Sequence, residues 1–292
     1  LSYDLTGFFP ANDEDMESEW FWDEDWSEEY LELLLAYGYY HVEAEDDSNP
    51  ACGIKVFSGG YADNYKTDLN KLIALQKVFT NWNKGRLQSF LVEITSAIFS
   101  KKDELGEGYL LDKILDKAKQ KGTGKWTSQN AMDLGIPVPT IDIAVSMREI
   151  SALKKERLKA DEIYNRPVPE TVVMSSLVGK AEQALYFSFI MTYAQGMHQL
   201  SDASKEYGYA LKLGEIAKIW RAGCIIRAEL LADITSAFQA DNNLQNLLLS
   251  PSFVDKIKET VGAARELVSY GAVNGIPLPG LSNALTYFDT FT

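Results

Sequence analysis

Hydrophobic side chains recur at helical spacing through most of the chain. One clear stripe is formed by Leu87, Phe90, Leu91, Ile94 and Ile98, which lie on one face of an amphipathic helix. No stretch alternates between apolar and polar residues over several strands. The main body is therefore predicted to be all-α. Further helices are expected from Thr140 towards Lys159, from Lys180 to Tyr207, from Glu215 to Ala240 and from Ser252 to Tyr270.

The segment from Lys180 to Tyr207 has the most apolar centre. Its residues 184–191 are hydrophobic almost all round, so this helix is expected to lie inside a bundle. No apolar run in the chain reaches the roughly 18 residues of a membrane-spanning helix. We therefore expect no membrane partner.

Three short motifs occur twice, in the same order, at offsets of 138 to 140 residues. This spacing predicts a body built by internal duplication of a multi-helix unit, with an offset of about 140 residues. In each copy a Gly-Ile-Pro-x-Pro motif should end one helix and start the next. The pairs are Trp82–Gly85 with Trp220–Gly223, Ile94–Ala97 with Ile234–Ala237, and Gly135–Pro139 with Gly275–Pro279.

The charge of the protein is concentrated at one end. The formal net charge is −14, yet residues 1–50 hold 16 of the 42 acids and no Lys or Arg. Three of the six tryptophans also lie there, which is too aromatic for a plain solvating tail. We predict a small acidic N-terminal module of uncertain fold, with a short helix over 28–40 and connecting chain over 46–64. It either packs on the rest of the chain or docks a basic partner.

Composition excludes several other classes. Two cysteines and two histidines argue against a disulfide framework and against a metal centre, so no metal site is predicted. No basic block marks a nucleic-acid partner. The chain opens with acids where a signal peptide would carry basic residues. A reducing, cytoplasmic location is expected.

A glycine-rich segment in the first copy is the strongest candidate site. Residues 121–127 contain two glycines, two lysines and two threonines, whereas the corresponding residues 261–267 read as an ordinary helix. Gly122 and Gly124 would allow close backbone approach, and Lys121, Thr123 and Lys125 would offer charge and a hydroxyl to an anion such as phosphate or carboxylate. The segment matches neither a Walker loop nor a dinucleotide fingerprint. The alternative is a simple helix connection.

Arg148 is the second candidate, because it lies in a mostly apolar helix. It either pairs with a buried acid or reaches a ligand. His198, on the long apolar helix, is interpreted as a core histidine rather than a base. Cys224 is interpreted as structural, although two arginines lie near it in the sequence.

Five long motifs of the helical body occur in a fixed order: Phe79–Gly85, Leu91–Thr95, Leu111–Asp116, Gln120–Thr127 and Trp220–Arg227. Together they closely resemble the helical C-terminal domain of the 6-phosphogluconate dehydrogenases. The resemblance covers residues 78–292 and implies an enzyme that oxidises 6-phosphogluconate with NADP and decarboxylates it to ribulose 5-phosphate. It further implies a homodimer, and substrate phosphate contacts from Lys121, Thr123 and Arg148.

Residues 1–77 do not resemble that family. The family's cofactor-binding Rossmann domain and its catalytic helix have no counterpart in the chain, so no catalytic residue is assigned. We predict a substrate-binding and dimerisation domain, residues 78–292, that is inactive alone. The alternative is a non-enzymatic helical scaffold whose acidic N-terminal module docks a protein. A third possibility is that residues 1–77 come from a faulty gene join.

Overall fold

The computed structural model describes residues 41–44, 54–57, 69–114, 117–118, 122–164 and 174–292. Within these ranges the body is helical, as predicted. Its helices, numbered in chain order, are α1 (Leu69–Trp82), α2 (Phe90–Ile98), α3 (Thr123–Leu134), α4 (Pro139–Ala152), α5 (Lys154–Tyr164), α6 (Met174–Tyr207), α7 (Leu213–Ile219), α8 (Leu230–Ala240), α9 (Pro251–Val273) and α10 (Pro279–Phe291). Short 3₁₀ turns lie at Leu110–Lys113 and Leu247–Leu249.

Helix α6 is the axis of the fold. Its 34 residues span about 51 Å, longer than the 28 residues predicted. Residues 184–191 are all buried, which confirms that the apolar centre lies inside the bundle. Helix α9 packs along α6, and α10 packs on both α4 and α6. This arrangement fixes α3 and α4, which carry the candidate site, against one side of the core.

Two predicted helices are broken in the structure. The helix expected from Thr140 towards Lys159 ends at Ala152, because Leu153 leaves helical geometry (φ −83°, ψ 40°) and α5 starts at Lys154. The Arg157 side chain donates to the Ser151 carbonyl at 3.1 Å. A side chain thus satisfies a carbonyl near the end of α4, in place of a continuing helix.

The helix expected over Glu215 to Ala240 is interrupted at residues 220–229. This segment pairs with residues 88–90: the Phe90 amide donates to the Arg227 carbonyl at 3.0 Å, and the Glu229 amide donates to the Gln88 carbonyl at 2.8 Å. The Tyr193 hydroxyl on α6 donates to the Ile226 carbonyl at 2.5 Å. Partners distant in the sequence therefore replace helical hydrogen bonds there.

The two Gly-Ile-Pro-x-Pro motifs behave as predicted. Gly135 and Gly275 end α3 and α9 with φ of 70° and 67°, a conformation that glycine adopts without a steric penalty. After each glycine the next amide donates back to the helix, Ile136 to the Ala131 carbonyl at 2.9 Å and Ile276 to the Gly271 carbonyl at 2.8 Å. A proline then occupies the first turn of α4 and of α10.

Ahead of the helices, two short strands form an antiparallel pair. Strand β1 (His41–Ala44) pairs with β2 (Ile54–Phe57), with His41 opposite Phe57. The prediction that residues 46–64 are only connecting chain was therefore wrong at Ile54–Phe57. The predicted short helix over 28–40 lies outside the described residues. Helix α1 begins at Leu69, so it runs across the domain boundary expected at residue 77.

In the described part of the chain, every helix is either too short or too polar to cross a bilayer.

Candidate functional site

The candidate site is built on the first turn of α3. Gly122 precedes this helix with φ 107° and ψ −27°, a conformation open to glycine and rarely adopted by other residues. The first helical bond runs from the Trp126 amide to the Gly122 carbonyl at 2.9 Å. The amides at positions 123–125 thus belong to the group that has no partner within a helix. They lie at the positive end of the helix dipole.

Gly124 brings α3 and α4 close together. A Cβ placed on Gly124 would lie 3.1 Å from Val145 Cγ2 and 3.9 Å from Arg148 Nη1. The Arg148 guanidinium therefore lies beside the first turn of α3. The structure thus brings Arg148 next to Gly124 and its neighbour Thr123, more than 20 residues earlier in the sequence.

The glycine-rich segment carries two lysines, of which the structure describes Lys125. Lys125 is exposed on α3, so its ammonium group faces solvent at the same helix turn. Lys121 lies outside the described residues, one position before Gly122. Its role stays a prediction, as do the binding roles of Thr123, Arg148, Gly122, Gly124 and Lys125.

Buried glutamines on α6 hold the two site helices in place. Gln195 is fully buried; its amide oxygen accepts from the Thr140 amide at 3.0 Å and its amide nitrogen donates to the Thr140 hydroxyl at 2.9 Å. Gln199 donates to the Thr127 carbonyl at 2.9 Å and to Asn130 Oδ1 at 3.0 Å. Each of the helices α3 and α4 is therefore fixed to the central helix by a polar contact.

Sequence reasoning missed these anchors and also missed Ser151. The Ser151 hydroxyl accepts from the Ala118 amide at 2.9 Å and donates to the Arg148 carbonyl at 2.6 Å. A polar residue in an otherwise buried helix face is the available signal for Gln195. Ser151 carried no comparable signal, because its amide partner is 33 residues away.

The other titratable candidates lie on different elements. His198 is half-buried on α6, with Nε2 at 3.6 Å from Asp202 Oδ2 one turn on. Cys224 is a half-buried free thiol in the 220–229 segment. Among the described residues, no group of three His, Cys, Asp or Glu side chains is arranged to hold a metal ion.

A separate polar cluster joins α6, α8 and α9. Lys256 Nζ lies 2.6 Å from Asp233 Oδ2. Burial raises the pKa of the Tyr186 hydroxyl, and the positive charge of Lys256 opposes this rise.

A second buried tyrosine, Tyr287, lies on α10. Burial raises the pKa of its hydroxyl too, although Asn246 donates a hydrogen bond to the hydroxyl oxygen. Both tyrosines stay protonated in the core well above neutral pH.

Comparison with known proteins gives a consistent result. Residues 66–292 match the family model described as 6-phosphogluconate dehydrogenase, C-terminal domain. The chain is 50% identical over 218 residues to the decarboxylating 6-phosphogluconate dehydrogenase of Lactococcus lactis subsp. lactis, covering 74% of this chain and 46% of that protein. It is 48% identical over 219 residues to the NADP(+)-dependent, decarboxylating enzyme of Bacillus subtilis, covering 74% and 47%. The chain thus spans about half the length of these relatives.

A solved structure agrees with the sequence comparisons. It is Plasmodium falciparum 6-phosphogluconate dehydrogenase, described in its apo form and in complex with its cofactor NADP+ and its substrate 6-phosphogluconate. It is 41% identical, with a TM-score of 0.73, and the match covers 77% of this chain and 48% of that one.

Proposed function

Because the chain belongs to the 6-phosphogluconate dehydrogenase family, we propose that its helical body binds 6-phosphogluconate by the phosphate group. It would serve as the substrate-binding and dimerisation domain of an enzyme that oxidises this substrate and decarboxylates it to ribulose 5-phosphate. The observation that carries the proposal is the position of Arg148 beside the first turn of α3, at Gly124.

The chemistry of this position suits a phosphate group. The first amides of a helix have no partner within the helix and offer several donors at the positive end of the dipole. A guanidinium adds a fixed pair of donors that matches two phosphate oxygens. The Thr123 hydroxyl lies on the same turn, and Lys121 would add a second cation as the family resemblance implies. These residues bind and orient the substrate; none of them is assigned a proton-transfer step.

The cofactor is assigned to no residue of this chain. NADP would supply the hydride acceptor of the reaction. Dinucleotide binding typically uses a glycine fingerprint between a strand and a helix. The sequence contains no Gly-x-Gly-x-x-Gly, and the described residues just before Gly122, 117–118, are not in a strand. The residues described do not fit a dinucleotide, so we expect the chain by itself not to turn over.

The proposed duplication supports the same site. The helix starts after the two Gly-Ile-Pro motifs have nearly equal geometry, with Val138 at φ −127°, ψ 51° and Leu278 at φ −123°, ψ 61°. At an offset of 140, Arg148 corresponds to Phe288, whose ring packs edge-on against Phe187 at 5.6 Å. The second copy thus has an apolar contact where the first has the guanidinium.

The same offset relates Gly124 to Ala264, which is fully buried. A Cβ is therefore accommodated in the second copy and omitted in the first. The two copies differ at the residues that form the proposed phosphate site. This supports specialisation of the first copy for binding.

A homodimer and a cytoplasmic location remain part of the proposal. The homodimer rests on the family resemblance; large apolar side chains exposed on several helices are available to a second subunit. They include Met132, Ile163, Tyr164 and Val273. The alternative, a scaffold with an acidic docking module, concerns residues that lie mostly outside the described ranges.

Isothermal titration calorimetry with 6-phosphogluconate tests the proposal. The parent chain should bind the substrate, and Arg148→Ala and Lys121→Ala should each weaken binding by about tenfold or more, because each removes a charged donor. Lys258→Ala is the matched control, since Lys258 is an exposed lysine on α9. Equal affinity in all four proteins, or no binding to the parent, would contradict the proposal. A stable complex with a basic protein in the absence of substrate binding would favour the scaffold.

A further inference from the structure

Ser151 joins three parts of the chain around the proposed phosphate site. It lies near the end of α4, three residues after Arg148, and is 6% exposed. A serine hydroxyl offers one donor and two acceptor sites. The donor is used on the Arg148 carbonyl at 2.6 Å, and an acceptor site is used by the Ala118 amide at 2.9 Å.

The Ala118 end of this contact leads directly to the glycine-rich segment. Ala118 is 2% exposed, so its amide needs a partner within the protein. Only residues 119–121 separate it from Gly122, the residue before α3; four residue steps span at most about 14 Å. Fixing Ala118 to α4 therefore fixes one end of the short connection that carries Lys121.

A third contact holds Ser151 itself. Arg157 on α5 donates to the Ser151 carbonyl at 3.1 Å. The backbone of Ser151 is thus tied to α5 while its hydroxyl ties Ala118 to the Arg148 backbone. At the offset of 140, the corresponding residue is Phe291, which has no hydroxyl and is 41% exposed. The copy that lacks the guanidinium also lacks this contact.

We propose that Ser151 is a positioning residue for the phosphate site. It sets the chain that enters the glycine-rich segment against the part of α4 that carries Arg148. This inference rests on the proposed function, because it concerns the same phosphate site. It makes Ser151 important for affinity without any contact to the substrate.

The test is calorimetry with 6-phosphogluconate on the parent chain, Ser151→Ala, Ser151→Thr and Ser146→Ala. Ser146 is the matched control, since it is an exposed serine on α4 whose hydroxyl donates to the Asp142 carbonyl at 3.0 Å. Ser151→Ala should weaken binding by about tenfold, because the Ala118 amide loses its acceptor. Ser151→Thr keeps the hydroxyl and should restore most of the affinity, and Ser146→Ala should bind as the parent does.

The outcomes separate the two proposals. If Arg148→Ala loses binding while Ser151→Ala binds as tightly as the parent, the positioning role is overturned and the proposed function stands. A Ser151→Ala protein that unfolds at a lower temperature with unchanged affinity also overturns it. If the parent does not bind 6-phosphogluconate, the proposed function fails, and the inference that rests on it fails too.

A measurement on the unaltered chain covers the case in which Ser151→Ala does not fold. Binding and the Ala118–Ser151 contact should stabilise each other by the same free energy. Saturating 6-phosphogluconate should therefore slow hydrogen exchange of the Ala118 amide. The Leu211 amide, which donates to the Ser204 hydroxyl at 2.8 Å, is the control and should not change. Unchanged exchange at Ala118 would overturn the inference.

Discussion

Replacing Gly124 with alanine should weaken phosphate binding without stabilising the protein. The added Cβ would lie 3.1 Å from Val145 Cγ2 and 3.9 Å from Arg148 Nη1. The first distance is tighter than most packed carbons tolerate, so Val145 must move by a few tenths of an ångström. Because Val145 and Arg148 lie one turn apart on α4, this movement disturbs the face that presents the guanidinium.

Two opposing contributions set the change in the free energy of unfolding of Gly124→Ala. Alanine is favoured over glycine inside a helix by about 1 kcal/mol. Overpacking of a close contact costs about 1–3 kcal/mol. The free energy of unfolding of Gly124→Ala should therefore be lower than that of the parent by about 0–2 kcal/mol. Loss of the Arg148 geometry should weaken substrate binding by roughly two- to tenfold.

Gly262→Ala is the matched comparison. Gly262 lies in α9, and a Cβ placed on it meets no atom within 4 Å. This substitution should raise the free energy of unfolding by about 0.5–1 kcal/mol, a rise in melting temperature of about 1–4 °C. Urea denaturation and calorimetry measure both effects. If Gly124→Ala stabilises the chain as much as Gly262→Ala and binds 6-phosphogluconate as tightly as the parent, the proposed close approach is wrong.

Three further results are expected. Burial raises the pKa of Tyr186 and of Tyr287 above the ordinary 10.0, so the unfolded chain loses these protons at a lower pH than the folded protein does. The free energy of unfolding should therefore fall as pH rises above 10. Urea denaturation that shows no such fall would contradict this prediction. Gln195→Leu removes the acceptor of the buried Thr140 amide and should lower the free energy of unfolding by about 1–3 kcal/mol. Gln129→Ala, on the exposed face of α3, is the control and should lower it little. Equal melting temperatures for the two variants would refute this prediction. The purified chain should give no absorbance increase at 340 nm with NADP and 6-phosphogluconate; measurable turnover would show that the catalytic groups lie within it.

Local sequence signals predicted the helical body well. The Gly-Ile-Pro-x-Pro motifs fix where α4 and α10 begin, because glycine ends one helix and proline starts the next regardless of distant contacts. The burial of residues 184–191 on α6 follows equally from an apolar pattern that leaves no polar face. The residues by themselves left the partner of Arg148 open, and only the family resemblance implied that it joins the glycine-rich segment at one phosphate. The structure adds the contact of Arg148 with Gly124.

The failures come from specific hydrogen bonds, which helix propensity does not report. The segment 220–229 is held by bonds to residues 88–90 and to Tyr193, far away in the sequence. At the break at Leu153 the contact is local, because the Arg157 side chain donates to the Ser151 carbonyl six residues earlier. The anchoring bonds of Gln195 and Ser151 join positions 33 to 55 residues apart. A single sequence shows the donor and the acceptor but not their pairing.

The location of the substrate phosphate in a crystal of this chain tests the central claim most directly. With 6-phosphogluconate bound, difference density should place the phosphate at the first turn of α3, within hydrogen-bond distance of the Arg148 guanidinium and the amides at 123–125. A phosphate bound elsewhere, or lying at this turn without contact to Arg148, would contradict the account.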